Sequence, residues 1–204
     1  MGENVWIPTI EVESANGTRE VSLYTSHLMD RIIFLNGEIK SEKANLFLSQ
    51  LLYLEKEADK PITIYINSIG GEVNAGLMIY DAIQGCKAEI NMICTGMAAS
   101  MAAVILAGGR KGHRYILKHS EIMIHEPLIP GGVGGSATSI RNISESIMET
   151  RRTVNRLLAS HTGKTLKEID SATAFDNYMN AKEAIEFGIC DSIMDSLKID
   201  NGEH

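Results

Sequence analysis

The stretch TGMAASMAAVILAGG (residues 95–109) contains no charged side chain, and Ser100 carries one of its two hydroxyl groups. A strand over residues 90–95 and a helix beginning near Ala98 would place the first amide groups of that helix beside Ser100. Amides in this position could stabilise the oxyanion that forms in acyl transfer. A small residue on a packed helix fits the same pattern, and the stretch lacks the GxSxG signature of a nucleophile turn. The stretch alone leaves both interpretations open.

Two glycines, Gly70 and Gly71, follow the preceding predicted strand. Without side chains, they would let backbone amides approach a substrate closely, although an ordinary strand-to-helix turn explains them as well. Combined with Ser100 after the next strand, they predict an oxyanion hole formed by the amides of Gly71 and Met101.

A serine nucleophile needs a base, which is usually histidine. Of the six histidines, His125 ends a predicted strand, just before Pro127 stops it. Strand ends are favoured catalytic positions in α/β folds, but a half-buried structural histidine is the alternative. The residues do not decide which carboxylate would orient the imidazole. The candidates are Asp81, Asp170, Asp176 and Asp191.

These candidates lie in a unit of strand, turn and helix that recurs about every 30 residues. Strands are predicted at residues 31–35, 61–67 and 90–95, and the first two helices at about 41–56 and 72–84. Such repeats usually give stacked parallel sheets with helices packed outside.

The sequence changes character after Pro127, where residues 129–135 are rich in glycine and proline. An amphipathic helix is predicted to follow over about 137–161. A glycine loop leading into a long exposed helix indicates a protruding element that docks on a neighbouring subunit. Other predicted elements are strands at 115–117 and 121–125, a helix with a Thr165/Glu168 capping box, and an extended or mobile arm over the first 25 residues.

Composition restricts the class of protein. The 204 residues fit one domain, and a net charge of −7 argues against nucleic acid or anionic lipid as a partner. The start of the chain lacks the basic and apolar regions of a secretory signal, so we expect a cytoplasmic protein. Cys86, Cys94 and Cys190 form no CxxC pair, which predicts reduced, buried thiols and no metal site.

The assembled motifs closely resemble those of the proteolytic subunits of Clp proteases, the ClpP family, over essentially the whole chain. The most specific are GMAAS and MIH at their observed spacing. The matching segments are DRIIFL (30–35), YINSIGGEV (65–73), GMAASMAA (96–103), SEIMIHEPL (120–128), NRLLASHTGKTL (155–166) and AKEAIEFGICDSI (181–193).

The resemblance implies a role for each matched residue. Ser100 would be the nucleophile, His125 the general base and Asp176 the orienting carboxylate, while Gly71 and Met101 would supply the oxyanion-hole amides. Substrate would bind at Gly70, Gly131, Gly132, Val133 and Gly134, and a partner would dock at Tyr65, Ile93, Tyr115 and Leu117.

The resemblance also implies an α/β fold, a repeated β-β-α superhelix like that of ClpP and the crotonases, with a protruding handle made of a strand and the long helix. One domain would comprise an axial arm (1–25), a head (26–127 and 163–195), the handle (128–162) and a tail (196–204). Two stacked heptameric rings would enclose a chamber into which a hexameric AAA+ ATPase feeds unfolded proteins. That ATPase would hydrolyse the ATP, and this chain would need no cofactor.

The chain departs from the family pattern near the predicted site. Ala174 and Phe175 stand where the family has an aspartate and an arginine that help to join the rings, and Glu126 replaces a glutamine after the histidine. Ile69 replaces a proline, and the handle carries two extra residues. The expected function is therefore a serine endopeptidase subunit. The alternatives are a regulatory or weakly active paralogue that needs a second subunit type, and a crotonase-like acyl-CoA enzyme.

Overall fold

The computed structural model describes residues 7–14, 17–57, 60–129 and 131–197. The remaining parts of the predicted arm, of the handle at Pro130 and of the tail lie outside the described residues. Within the described part, an antiparallel hairpin comes first, formed by β1 (Thr9–Ser14) and β2 (Gly17–Ser22), and helix α1 (Leu23–Met29) follows it. The extended backbone predicted for the arm is present in this segment, where the two strands pair with each other, and its role as an axial arm stays a prediction.

A seven-stranded sheet forms the body of the molecule. Strands β3 to β6 and β9 lie side by side in parallel, and each crossover carries a helix, as the recurring unit predicts. The remaining elements in chain order are β3 (Ile32–Ile39), α2 (Ser41–Leu54), β4 (Ile62–Gly71), α3 (Val73–Gly85), β5 (Ile90–Ala99), α4 (Met101–Ala107), β6 (Arg114–Leu117), β7 (Glu121–Ile124), α5 (Ala137–Thr162), α6 (Leu166–Ala172), β8 (Asn177–Asn180), α7 (Ala181–Phe187) and β9 (Ser192–Met194).

Strand β5 divides the sheet into two branches. Its first half pairs with β6 through Met92, Ile93 and Cys94, and its second half pairs with β7 through residues 97–99. Strand β8 then adds to β7 in the antiparallel direction. The far end of β5 therefore points into a corner between β4, β7 and β8, and Ser100 lies at that end.

Helix α4 fills the centre of the core. Every residue from Met101 to Ala107 is buried, and the alternating Ile62, Ile64 and Ile66 of β4 are fully buried beside it. This burial fits the apolar sequence of the stretch, since core helices and inner strands lose their polar face. Within the described residues, no helix is long and apolar enough to span a membrane.

The handle helix is confirmed, but its predicted strand is not. No strand forms among the described residues between Ile124 and Ala137. Gly131 and Gly132 have φ values of +84° and +81°, which are incompatible with extended strand backbone. The first half of α5 is mostly exposed, while Val154 and Leu158 near its other end are buried against the head.

A buried arginine joins the C-terminal ends of three helices. The Arg114 guanidinium donates hydrogen bonds to the carbonyls of Ala107, His161 and Gly188, at 2.9–3.4 Å, and pairs with Asp191 at 2.5 Å. Burial by itself would raise the pKa of Asp191, but the hydrogen bonds and charge of Arg114 hold it below its ordinary value. Removing one partner of such a pair leaves the other buried without compensation.

Asp191→Asn should therefore lower the free energy of unfolding at pH 7 by about 2–3 kcal/mol. Because the folded pKa of Asp191 is depressed, its stabilising effect is present at neutral pH and is lost as pH falls through the depressed value. Denaturant unfolding of both proteins at several pH values checks this, with exposed Asp195→Asn as control. A gap between wild type and variant that does not narrow below about pH 4 would contradict the prediction.

Candidate active site

Ser100 occupies the turn between β5 and α4 in an unusual backbone conformation. Its φ and ψ are +55° and −123°, and among the described non-glycine residues only Arg31 shares a positive φ. Ser100 donates its backbone N–H to Met123 of β7 at 2.8 Å, which holds the turn in place. Strained residues of this kind cost about 1–3 kcal/mol and tend to lie at functional sites.

The helix after Ser100 begins later than the sequence indicates. Ala98 and Ala99 continue β5, paired with Ile122 and Met123, so α4 starts at Met101 rather than near Ala98. Ser100 is consequently the N-cap residue and not part of the helix. The expectation that helix amides begin beside the hydroxyl is nevertheless met, since the Met101 N–H is the first in α4.

His125 lies at the end of β7 and faces Ser100. Its Nε2 is 2.9 Å from Ser100 Oγ, which is hydrogen-bonding distance, and its side chain is 14% exposed. When the imidazole carries its proton on Nδ1, Nε2 accepts the hydrogen bond from the serine hydroxyl. The two side chains that the sequence predicts as nucleophile and base are therefore in direct contact.

Asp176 reaches the other side of the imidazole because β8 pairs with β7. The register sets Ile124 opposite Asn177, so His125 and Asp176, the next residue on each side, are also neighbours. Asp176 Oδ1 lies 3.4 Å from His125 Nδ1, and the aspartate side chain is 58% exposed. The structure thus brings together a serine, a histidine and an aspartate.

The other three aspartates are engaged elsewhere or face solvent. Asp170 accepts a hydrogen bond from Asn155, Asp191 is bound by Arg114, and Asp81 is exposed on α3. Of the four candidate aspartates, Asp176 is the one whose carboxylate lies beside the His125 imidazole.

Asp176→Asn should slow catalysis by about 10²-fold, if Asp176 orients the imidazole. The effect should be smaller than the roughly 10⁴-fold loss typical of a buried triad aspartate, because water screens this exposed carboxylate. Peptide hydrolysis rates of the assembled variant check this, with Asp81→Asn as the exposed control. A variant as active as wild type would exclude an orienting role for Asp176.

Gly70 and Gly71 bring β4 against the serine turn. A Cβ on Gly70 would lie 2.6 Å from the Ala99 carbonyl oxygen, 2.7 Å from Ser100 Cβ and 3.0 Å from the Met101 nitrogen. The Gly70 N–H donates to Ser68 Oγ, so Gly71 carries the next amide along the chain. This arrangement fits the predicted oxyanion hole of Gly71 and Met101, and only glycine permits the close approach.

A small cavity of about 20 Å³, enough for about one water molecule, lies beside Ser100 and His125. Helix α5 contributes to it at its buried end, which the sequence does not predict as part of the site. The apolar stripe on α5 is the sequence feature that could have indicated this contact. The apolar residues that line the cavity are Val73, Met101, Val104, Ile124, Pro127, Val154 and Leu158. These side chains give the nucleophile an apolar surrounding on this side.

The predicted substrate-binding residues of the handle stand apart from these groups. Val133 is 44% exposed, and a Cβ on Gly131, Gly132 or Gly134 would meet nothing within 4 Å. Their role as a peptide-binding strand stays a prediction.

The predicted docking residues form part of a row across the sheet. Tyr65, Ile93 and Tyr115 are in register on neighbouring strands, and the Tyr65 ring stacks on Phe34 with centroids 5.5 Å apart. Ile93 is fully buried, so the prediction that it contacts a partner does not fit this conformation. Tyr65 donates its hydroxyl to the Leu197 carbonyl at 2.5 Å, which brings the chain end onto this row.

Cys86 is only half-buried, which differs from the predicted burial, and the reduced state of the three thiols stays a prediction. All three are free, and Cys94 and Cys190 are buried. Burial raises the pKa of Cys94 to about 11 and also raises that of Cys190, so neither is a reactive thiolate at neutral pH. Among the described residues, no group of three or more His, Cys, Asp or Glu side chains could hold a metal ion.

Comparison with protein-family models agrees with this geometry. The family model described as Clp protease matches residues 15–197, which is most of the chain. The match supports the peptidase interpretation over an acyl-CoA enzyme, and it fits the observed α/β architecture with its parallel sheet. This chain belongs to the Clp protease family and is a ClpP-type peptidase.

Proposed function

We propose that this chain is a serine endopeptidase subunit that cleaves unfolded proteins through an acyl-enzyme. The observation that carries the proposal is the 2.9 Å contact between Ser100 Oγ and His125 Nε2, with Asp176 at the opposite ring nitrogen. This is the spatial order of a nucleophile, its base and the group that orients the base.

In the first step, Ser100 Oγ attacks the peptide carbonyl while His125 Nε2 takes the hydroxyl proton. The carbonyl oxygen becomes an oxyanion, which the amides of Gly71 and Met101 stabilise by hydrogen bonds. His125 then gives its proton to the leaving amine, and the peptide bond breaks. Asp176 stabilises the imidazolium formed between these two transfers.

In the second step, a water molecule resolves the acyl-enzyme. His125 takes a proton from the water, whose oxygen attacks the ester carbonyl, and then returns the proton to Ser100 Oγ. The residues present carry out every proton transfer, so the proposal includes no cofactor.

We also propose that several copies of the chain enclose the site. Ile140 and Met148 on the projecting part of α5 are 44% and 41% exposed, and such apolar side chains favour burial against another copy. Clp proteases generally form oligomeric rings that work with AAA+ ATPases. Two heptameric rings fed by such an ATPase in the cytoplasm are the proposed arrangement here, with Tyr65, Tyr115 and Leu117 at the docking rim.

Hydrolysis of a small fluorogenic peptide by the purified protein tests this function, together with its native mass. We expect ring-sized particles that cleave the peptide, and degradation of an unfolded protein only when an AAA+ partner and ATP are added. An assembled protein that cleaves no peptide would contradict the proposal.

A regulatory subunit is the second candidate, and the exposure of Asp176 next to Ala174 and Phe175 favours it. Such a chain would be silent alone and would activate a second proteolytic subunit in a mixed ring. Peptide hydrolysis with and without that second subunit separates the two functions. Mixed activity that survives Ser100→Ala in this chain would support the regulatory role.

A further inference from the structure

An arginine of the long helix lies between the two segments that carry His125 and Asp176. Arg151 Nε is 3.1 Å from Glu126 Oε2, and Glu126 directly follows His125. Arg151 Nη2 is 4.0 Å from Asp170 Oδ1 on α6, the helix that leads to Asp176. The Arg151 side chain is 26% exposed, so solvent screens this charge less than it screens the fully exposed pairs of α5.

Hydrogen bonds connect the same segments. The Glu126 N–H donates to the Thr173 carbonyl at 2.7 Å, which ties the loop after His125 to the loop before Asp176. Asn155 Nδ2 donates to Asp170 Oδ1 at 2.6 Å, and Thr173 Oγ1 contacts Asn155 Oδ1 at 3.4 Å. Asn155 and Thr173 are almost completely buried. The long helix is therefore attached to both segments that hold the base.

The Arg151 contact to Glu126 is an ion pair rather than an aligned hydrogen bond. Although the two atoms are 3.1 Å apart, Arg151 Nε is buried and has no well-directed acceptor among the described residues. Buried donors normally make a hydrogen bond. Because Arg151 Nε makes none in the described part of the chain, the guanidinium is held by its charge interaction with Glu126 and Asp170.

We propose that Arg151 is a positioning residue for peptide hydrolysis, acting through Glu126 and Asp170 to hold the His125 imidazole between Ser100 and Asp176. This inference rests on the proposed function. Arg151 also neutralises Glu126, the carboxylate adjacent to the base in sequence. Small displacements of a catalytic group lower the rate strongly, so loss of this link should act on turnover and not on substrate binding.

Four variants of the assembled protein test the proposal by separate measurement of kcat and KM for a small peptide. Arg151→Met removes the charge, and Glu126→Gln removes the partner charge while keeping the backbone bond to Thr173. Arg151→Lys keeps the charge without the planar fork. Arg152→Met is the matched control, because Arg152 is 60% exposed, lies one residue along α5 and pairs with Glu149 instead.

We expect Arg151→Met and Glu126→Gln to lower kcat roughly tenfold with KM within about twofold and native mass unchanged. Arg151→Lys should recover part of the loss, and Arg152→Met should match wild type. Full kcat in assembled Arg151→Met would overturn the inference. The inference would also be overturned if Arg151→Met lost kcat only because it disassembled, and Glu126→Gln stayed assembled with full kcat. If the wild-type protein shows no Ser100-dependent hydrolysis, the proposed function itself is overturned. This outcome is distinguishable from the others because it is measured on the wild type and not on the variants.

Discussion

Ser100→Ala should reduce peptide hydrolysis by at least about 10⁴-fold. The variant lacks the oxygen that would form the acyl-enzyme, and no other hydroxyl is recorded within hydrogen-bonding distance of His125 among the described residues. Initial rates with a fluorogenic peptide at equal protein concentration measure the effect.

The substitution removes one oxygen from a partly exposed turn and should leave the fold intact. Native mass and the unfolding temperature of Ser100→Ala are therefore expected to equal those of wild type. Residual activity within tenfold of wild type in an assembled variant would show that another group performs the attack. Ser49→Ala, at an exposed position of α2, serves as a control for serine loss elsewhere.

Gly70→Ala should lower activity by about 10²-fold or more, because its new methyl group would displace the serine turn. The methyl carbon would lie 2.6 Å from the Ala99 oxygen, 2.7 Å from Ser100 Cβ and 3.0 Å from the Met101 nitrogen. Two of these three, the Ala99 oxygen and the Met101 nitrogen, are backbone atoms, which cannot rotate away. The nucleophile and one oxyanion-hole amide would both move.

Gly112→Ala is a matched control for backbone strain. Gly112 has a φ of +89°, against +84° for Gly70, but a Cβ there meets nothing within 4 Å. Both variants therefore force an alanine into a backbone conformation with positive φ, which is destabilising. Only Gly70→Ala also brings the new methyl group into collision with the serine turn. Rates of peptide hydrolysis should separate them, and equal activity in the two variants would contradict this account of Gly70.

Ser100 and His125 could be predicted from the sequence because each follows a strand whose pattern is readable. Asp176 could not be chosen from the residues, since its position depends on the pairing of β7 with β8. Strand β8 has only four residues, NYMN, without the apolar alternation that marks β4. The family resemblance pointed to Asp176, and the β7–β8 register is the physical reason for its proximity to His125.

Other differences between the predicted and the observed elements also come from strand pairing, which local sequence does not reveal. Ala98 and Ala99 have high helix propensity, yet they stay in β5 because β7 lies beside them. The hairpin of β1 and β2 has only the short Ile10 and Val12 alternation, and none of its described side chains is fully buried. The handle strand that the resemblance implies needs a partner strand, and residues 131–136 pair with no strand in the described part of the chain.

Covalent labelling with a fluorophosphonate probe, followed by peptide mapping, tests the central claim most directly. The probe reacts with a serine only when a neighbouring base activates it, so it reports the Ser100–His125 contact rather than substrate binding or ring gating. We expect one adduct on Ser100 in the assembled wild-type protein and none in His125→Ala. An assembled wild-type protein with Ser100 unlabelled, or with the adduct on a different residue, would contradict it.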